Sequence, residues 1–434
     1  MAGHSTNGLS RRQFGFLAGA AAVAGAGSLA TPSIVRAANA PRVVIVGGGP
    51  GGATAARYIA KDAGEALDVT LIEANPRYTT CFFSNLYLGG LRSFDSITHG
   101  YDALEANYGI SFVNARASAV ERDAQQVVLA DGSRVAYDRL IIAPGVDVIH
   151  ESVPGYSKEA EEIMPHAWKA GPQTKLLKER FDALENGQQI IIVAPPNPYR
   201  CPPGPYERAS MFAHVLKARG HTASRIIILD YKPKFSKQAL FAEGWEEFYP
   251  GMIEWYGPDV HGGIQGVDPE TGTVETDFDT FTGALVNVIP AQKAGMIARD
   301  AGLADDTGYC PIDGASMRSA FDDNIFILGD ASIAGAMPKS AFAANSQAKV
   351  AAMNVRGDLV GSKVFPARYT NTCWSLIETD NAVKVGGQYA PGAEGIASTS
   401  TFISQIHEPA DLRKANTEEA AGWYQGITAD IFGA

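Results

Sequence analysis

A short β-branched strand that runs straight into a glycine turn constrains this chain more than any other feature. Arg42-Val43-Val44-Ile45-Val46 leads into Gly47-Gly48-Gly49-Pro50-Gly51-Gly52, and an alanine-rich helical stretch, Ala53 to Ala60, follows. Glycine at 47 permits a tight turn, Gly49 lets the backbone approach a pyrophosphate, and Gly52 lets helix and strand pack closely. The helix N-terminus then faces the phosphates. A second strand, Val69 to Ile72, ends in Glu73, twenty-one residues after Gly52. An acidic side chain there can hold a ribose hydroxyl pair. The pattern predicts a Rossmann-type nucleotide-binding unit.

Two later segments point to FAD rather than NAD on that unit. Tyr137-Asp138-Arg139-Leu140-Ile141-Ile142-Ala143-Pro144-Gly145 resembles the strand and turn that return to the flavin domain in the two-dinucleotide-domain flavoprotein disulfide reductases. Asn324-Ile325-Phe326-Ile327-Leu328-Gly329-Asp330 resembles their second flavin motif, in which the aspartate takes hydrogen bonds from the ribityl chain. A helix expected from near Lys339 to Val355 aims its positive end at the flavin, a field that favours the reduced anion. Gly329, Asp330 and Lys339 therefore join Gly47, Gly49, Gly52 and Glu73 as expected cofactor contacts. Where nicotinamide-using members carry a second glycine fingerprint, the strand Gln189 to Val193 runs into Ala194-Pro195-Pro196-Asn197-Pro198-Tyr199-Arg200-Cys201-Pro202-Pro203-Gly204-Pro205. Proline lacks the amide donor a pyrophosphate needs, so nicotinamide is not the expected electron donor.

With 434 residues, 46% hydrophobic and 19% charged, the chain is long enough for more than one core. Residues 1–40 differ from the rest. Ser10-Arg11-Arg12-Gln13-Phe14 precedes an Ala/Gly-rich stretch and Ala-x-Ala-like sites ending at Ala37 or Ala40, which reads as a twin-arginine export signal and a periplasmic destination. Its three arginines are its only charged residues, so their removal takes the net charge from −11 to −14. So acidic a body is a poor nucleic-acid partner. After residue 40 no uncharged apolar run is long enough to predict a transmembrane segment.

Four cysteines, Cys81, Cys201, Cys310 and Cys373, are too few for a disulfide scaffold in an exported chain of this size. They read either as buried small hydrophobes or as individually functional thiols. Cys201 precedes a helix expected over 206–218, whose N-terminus stabilises a thiolate. Cys373 falls in Tyr369-Thr370-Asn371-Thr372-Cys373-Trp374-Ser375, read as a polar loop, and Cys81 follows Glu73 by eight residues.

From about Arg42 to the C-terminus the chain resembles the flavoprotein subunit of flavocytochrome c sulfide dehydrogenase, a relative of sulfide:quinone oxidoreductase. The proline-rich segment around Cys201 and the Asn-Thr-Cys-Trp-Ser segment carry that resemblance. It implies that Cys81 bonds covalently to FAD, that Cys201 and Cys373 form a redox-active disulfide, and that Glu207 accepts a proton. It assigns nothing to Cys310. Hydrosulfide attack on the disulfide, ordinary exchange chemistry, would leave sulfane sulfur and send two electrons to FAD. The chain has no Cys-x-x-Cys-His haem site, so the resemblance implies haem c on a partner, a c-type cytochrome subunit. The charged tail Glu408 to Ala434 disfavours docking in lipid.

The expected architecture is α/β, with two Rossmann-like domains of the flavoprotein disulfide reductase type and a C-terminal interface region. Residues 41–150 with 286–365 form the FAD-binding domain, 151–285 a second nucleotide-binding-like domain, and 366–434 a flavin-covering region that supplies Cys373. Two other readings stand beside sulfide oxidation to a cytochrome: a sulfide:quinone oxidoreductase at the membrane surface, and a flavin-stabilised assembly protein without its own substrate.

Overall fold

A computed structural model describes residues 40–393 and 395–433, so the expected export signal lies outside the described residues save Ala40. Six strands make the first sheet, in the order Arg318–Ser319, Asp322–Ile327, Arg139–Ile142, Arg42–Val46, Asp68–Glu73, Ser111–Asn114. The pairs are parallel except at the Arg318–Ser319 edge. A parallel sheet is covered on both faces, which is why Val43-Val44-Ile45 and Leu140-Ile141-Ile142 are continuous apolar runs rather than alternating ones. Full burial of each such side chain contributes about 1.5–3 kcal/mol.

Small residues set the approach of the helices over this sheet. Pro50–Ala63 and Ala341–Val360 share one core through Ala53, Ala56, Ala60, Ala348, Ala351 and Ala352. The second of these begins at Ala341, with Ser340 Oγ accepting from the Ala343 amide at 3.1 Å, and runs to Val360 rather than stopping at Val355. The serine cap satisfies an amide that Lys339 could not.

A second parallel sheet runs Ile253–Tyr256, Arg225–Asp230, Gln189–Ala194, Leu285–Val288. Leu285–Val288 lies wholly in it, so the expected boundary at 285/286 cuts a strand and is corrected to the segment after Val288. An apolar strand carries no mark of which of two sheets it will join. Val146–Val148 pairs antiparallel with Gln292–Ala294, where the chain passes between the two lobes.

The C-terminal region is an antiparallel sheet, Tyr369–Glu378, Asn381–Gly392 and Gly395–Ile403, followed by the helix Ala410–Phe432. Cys373 is therefore in a strand, paired with Val385, and not in a loop. Its neighbours are threonines and aromatics, β-formers whose polarity masked the pattern. Asp430 ties the last helix to the first lobe by accepting from Arg57 Nη1 at 2.8 Å, Tyr58 Oη at 2.9 Å and Asn345 Nδ2 at 3.0 Å. Among the described residues no helix is long and apolar enough to cross a membrane.

Candidate functional site

A groove of about 1310 Å³ runs along the carboxyl ends of the first sheet, its wall including Gly47, Gly49, Glu73, Cys81, Arg200 and Asp330. That exceeds the span of an ordinary small-ligand pocket, about 300–1,000 Å³, and suits a dinucleotide. The glycine turn is sterically required. Gly47 has φ +104°, and a Cβ on it would stand 2.3 Å from the Ala143 carbonyl oxygen. One on Gly52 would stand 1.8 Å from the Gly47 oxygen. Glu73 is held at its strand end, Oε2 accepting from the Gly48 amide at 2.8 Å and Oε1 from the Asn75 amide at 2.9 Å.

Asp330, also on the groove wall, is 9% exposed, and its Oδ1 is buried without a hydrogen-bond partner. An orphaned carboxylate oxygen on a groove wall is costly unless a ligand hydroxyl completes it. Arg200 Nη1 stands 3.5 Å from the other oxygen. The residues present thus fit FAD: Gly47 to Gly52 and Glu73 would take its nucleotide end, and Gly329 and Asp330 its ribityl chain. Lys339 stands apart from this set. It is not on the groove wall; its ammonium donates to the carbonyls of Asp330 at 2.7 Å and Ser332 at 2.8 Å, and so fixes the Asp330 turn. Cys310 is fully buried, and burial pushes its thiol up to about 12.

Of the other three cysteines, Cys81 lines the groove within electrostatic reach of Asp330, and Cys81 and Cys373 are both within reach of Cys201. All four are thiols in this structure, so the expected Cys201–Cys373 bridge is not formed; such a bond is a redox state rather than a property of the fold. Cys201 and Cys373 nonetheless act on one another electrostatically, and Cys81 and Glu207 act on Cys201. Cys201 occupies the left-handed region at φ 57°, its amide donating to the Lys339 carbonyl at 2.9 Å. Its Sγ lies 3.1 Å from where a Gly204 Cβ would be, beside the first turn of the helix Gly204–Ala218. The lowered thiol expected from that helix start is not found: burial pushes Cys201 well above the usual thiol value, with Cys373 and Glu207 adding to the rise. Burial raises Cys373 and Cys81 as well; Asn371 and Lys237 oppose it at Cys373, and Arg200 at Cys81.

Glu207 is on the first turn of the same helix, and burial raises its carboxyl. Oε2 accepts from Asn85 Nδ2 at 2.8 Å and Oε1 from the Leu376 amide, three residues beyond Cys373, at 3.0 Å. Arg208, 1% exposed, donates to Asn85 Oδ1 at 3.2 Å and to Asn287 Oδ1 at 2.8 Å, fixing the asparagine that fixes the glutamate.

Sequence reasoning missed Asn85, Arg200, Arg208 and Lys237. Arg200 adjoins Cys201 in the proline segment, and its position was the one available signal. Lys237 ends Tyr231-Lys232-Pro233-Lys234-Phe235-Ser236-Lys237, which reads as a solvated basic loop. Its ammonium is instead buried against the Cys373 strand. In the second lobe Asp230 ends its strand as Glu73 does in the first. It is fully buried, accepting from Tyr206 Oη at 2.5 Å, Trp255 Nε1 at 2.9 Å and Lys232 Nζ at 2.5 Å, so Asp230 is not free for a second ribose.

Residues 174–290 match the family described as the central part of the sulfide dehydrogenase [flavocytochrome c] flavoprotein chain. Residues 365–432 match the flavin-binding part of flavocytochrome c sulphide dehydrogenase, and 41–192 the pyridine nucleotide-disulphide oxidoreductases. The chain is 50% identical over 44 residues to the sulfide dehydrogenase [flavocytochrome c] flavoprotein chain of Chlorobaculum thiosulfatiphilum, spanning 10% of this chain and 90% of that sequence. It is 30% identical over 182 residues to the sulfide-quinone reductase of Aquifex aeolicus, a match spanning 42% of this chain and only 40% of that relative. The solved sulfide:quinone oxidoreductase of Aquifex aeolicus superposes with a TM-score of 0.68 at 18% identity, over 91% of this chain and 92% of that one, which shows a shared fold.

Proposed function

Since the chain belongs to the flavoprotein-chain family of flavocytochrome c sulfide dehydrogenase, within the flavoprotein disulfide reductases, we propose that it oxidises hydrogen sulfide to sulfane sulfur at the Cys201 and Cys373 site. One observation carries the reading: Cys81 lines a groove that fits FAD, and Cys201 has Cys81, Cys373 and the buried carboxyl of Glu207 all within electrostatic reach. With Cys201 and Cys373 joined as a disulfide, hydrosulfide bonds to Cys201 Sγ. The S–S bond breaks, and its electron pair goes to Cys373 Sγ as thiolate. The persulfide proton passes to Glu207, whose raised carboxyl is suited to taking it. FAD, which Cys81 would hold covalently in this reading, would supply the sink for the two electrons.

The acceptor in this reading is a c-type cytochrome subunit, supported by the name of the matched family and by the lack of a haem-attachment motif in this sequence. Export by the twin-arginine route to the periplasm accords with that partner. A quinone is the rival acceptor, since two relatives carry sulfide–quinone names. Anaerobic titration of the flavin-loaded protein with sulfide is the test. Bleaching of the flavin absorbance, lost in Cys201→Ser and Cys373→Ser but kept in Cys310→Ser, is the expected result. No bleaching in the wild type would leave the assembly-protein reading, and reoxidation by a quinone but not by a c-type cytochrome would replace the acceptor.

A further inference from the structure

The thiol site contains a cation that neither the motifs nor the resemblance assign. Lys237 occupies the left-handed region at φ 65°, immediately before the helix Gln238–Phe248, and is 5% exposed. Its ammonium crosses from the second lobe to the C-terminal sheet, donating to the Cys373 carbonyl at 3.3 Å, to Ser375 Oγ at 2.8 Å and to the Val383 carbonyl at 3.5 Å. All three acceptors are uncharged. Burying an ammonium costs several kcal/mol unless a negative charge offsets it. The ionisable groups that face it are Cys373 on its strand, Glu207 on the helix Gly204–Ala218 and Cys201 in the loop before that helix.

We propose that Lys237 is a positioning residue that holds the negative charge released on the Cys373 thiol when the Cys201–Cys373 disulfide opens. The proposal rests on the thiol chemistry proposed above. Exchange carries the charge of hydrosulfide into a buried pocket, where a thiolate without a counter-ion would be disfavoured. Lys237 supplies that counter-ion, anchored by two carbonyls and a hydroxyl so that it need not reorganise. Without it the leaving sulfur would depart as a poorer, less stable anion, and exchange would slow with the leaving thiol's rising pKa. The pull is mutual, since Cys373 and Glu207 hold the lysine charged while burial lowers it to about 8.

The test uses full-length flavoprotein reduced with a phosphine, without sulfide. Alkylation of Cys373 by iodoacetamide is followed against pH by peptide mass spectrometry, with buried Cys310 as the internal reference. Lys237→Gln is expected to slow Cys373 alkylation near pH 7, where the lysine is still charged, by about ten-fold or more, the effect of removing one nearby opposite charge. Lys237→Arg keeps the charge and the wild-type rate near pH 7. Ser375→Ala removes an acceptor but not the cation, and also keeps it. A wild-type profile in Lys237→Gln overturns the proposal, as does an equal shift in Ser375→Ala, which would make the effect one of packing. Should the glutamine variant fail to fold, the arginine variant decides: a wild-type rate near pH 7 supports the proposal and a slowing of about ten-fold or more refutes it. Because no sulfide is present, failure of sulfide to bleach the flavin would sink the proposed reaction without touching this result.

Discussion

Glu207→Gln separates the proton role of Glu207 from its structural one. The two carboxylate oxygens each accept from an N–H, Asn85 Nδ2 at 2.8 Å and the Leu376 amide at 3.0 Å. An amide can offer its oxygen to only one of these, so its NH2 meets the other donor and one buried N–H loses its acceptor, a cost of about 1–3 kcal/mol. Against that, the variant removes a charge that burial disfavours, as the upward displacement of the carboxyl from 4.5 records. For a carboxyl raised on folding, the folded state binds the proton more tightly than the unfolded chain does. Its contribution to stability is whole below the ordinary glutamate value and is lost as pH rises through the raised one. Wild type should lose stability across that window and Glu207→Gln should not, so the gap between the two narrows toward neutral pH. Denaturant unfolding at a series of pH values reads this directly. Sulfide-driven flavin reduction, by contrast, should fall by about 10²–10⁴-fold, the range for removing a positioned acid–base group. Turnover within about three-fold of wild type, with the stability trend intact, would refute the proton role and leave Glu207 a strut between Asn85 and Leu376.

Further outcomes follow from the groove. Acid-precipitated wild-type protein should retain yellow flavin, and Cys81→Ser should release it; free FAD in the wild-type supernatant would sink the covalent assignment. Gly52→Ala sets a methyl 1.8 Å from the Gly47 oxygen and should cost about 1–3 kcal/mol or more along with most flavin binding, checked by melting and flavin content; a variant with wild-type values would contradict the packing. Neither NADH nor NADPH should reduce the flavin at a useful rate, because Asp230 is already bound by Tyr206, Trp255 and Lys232; rapid anaerobic bleaching by either would overturn that.

Much of the first lobe was legible because its signals are local. Strand, glycine turn, helix and acidic strand end follow one another within residues 42–73, and the structure returns them as Arg42–Val46, Pro50–Ala63 and Asp68–Glu73. The pairing of Asp322–Ile327 with Arg139–Ile142 joins segments some 180 residues apart and was legible only through a motif, not a period. Where no motif stood, the reading slipped. Residues 286–288 went to the wrong lobe, and the Cys373 strand read as a loop because period-2 alternation is faint in Thr-Asn-Thr-Cys-Trp-Ser. Lys339 was expected as the start of the helix whose positive end faces the flavin, yet its ammonium is bound by two carbonyls and the helix is capped by Ser340.

The candidate site divides along the same line, between groups whose chemistry is written in their neighbours in sequence and groups whose chemistry comes from neighbours in space. Cys201 and Glu207 stand six residues apart and could be linked by helix position alone. Lys237 is 136 residues from Cys373, on a different lobe, in a stretch whose other lysines and proline suggest solvent. What makes it different from Lys234 is burial, and burial is a property of the assembled lobes. The same holds for Arg208, whose guanidinium reaches Asn85 and Asn287 from 123 and 79 residues away. A buried cation must be offset by something close to it. That requirement turns these two residues from surface-like letters into constraints on the site: Arg208 orients the asparagine that grips Glu207, and Lys237 stands ready for the charge that disulfide opening would create.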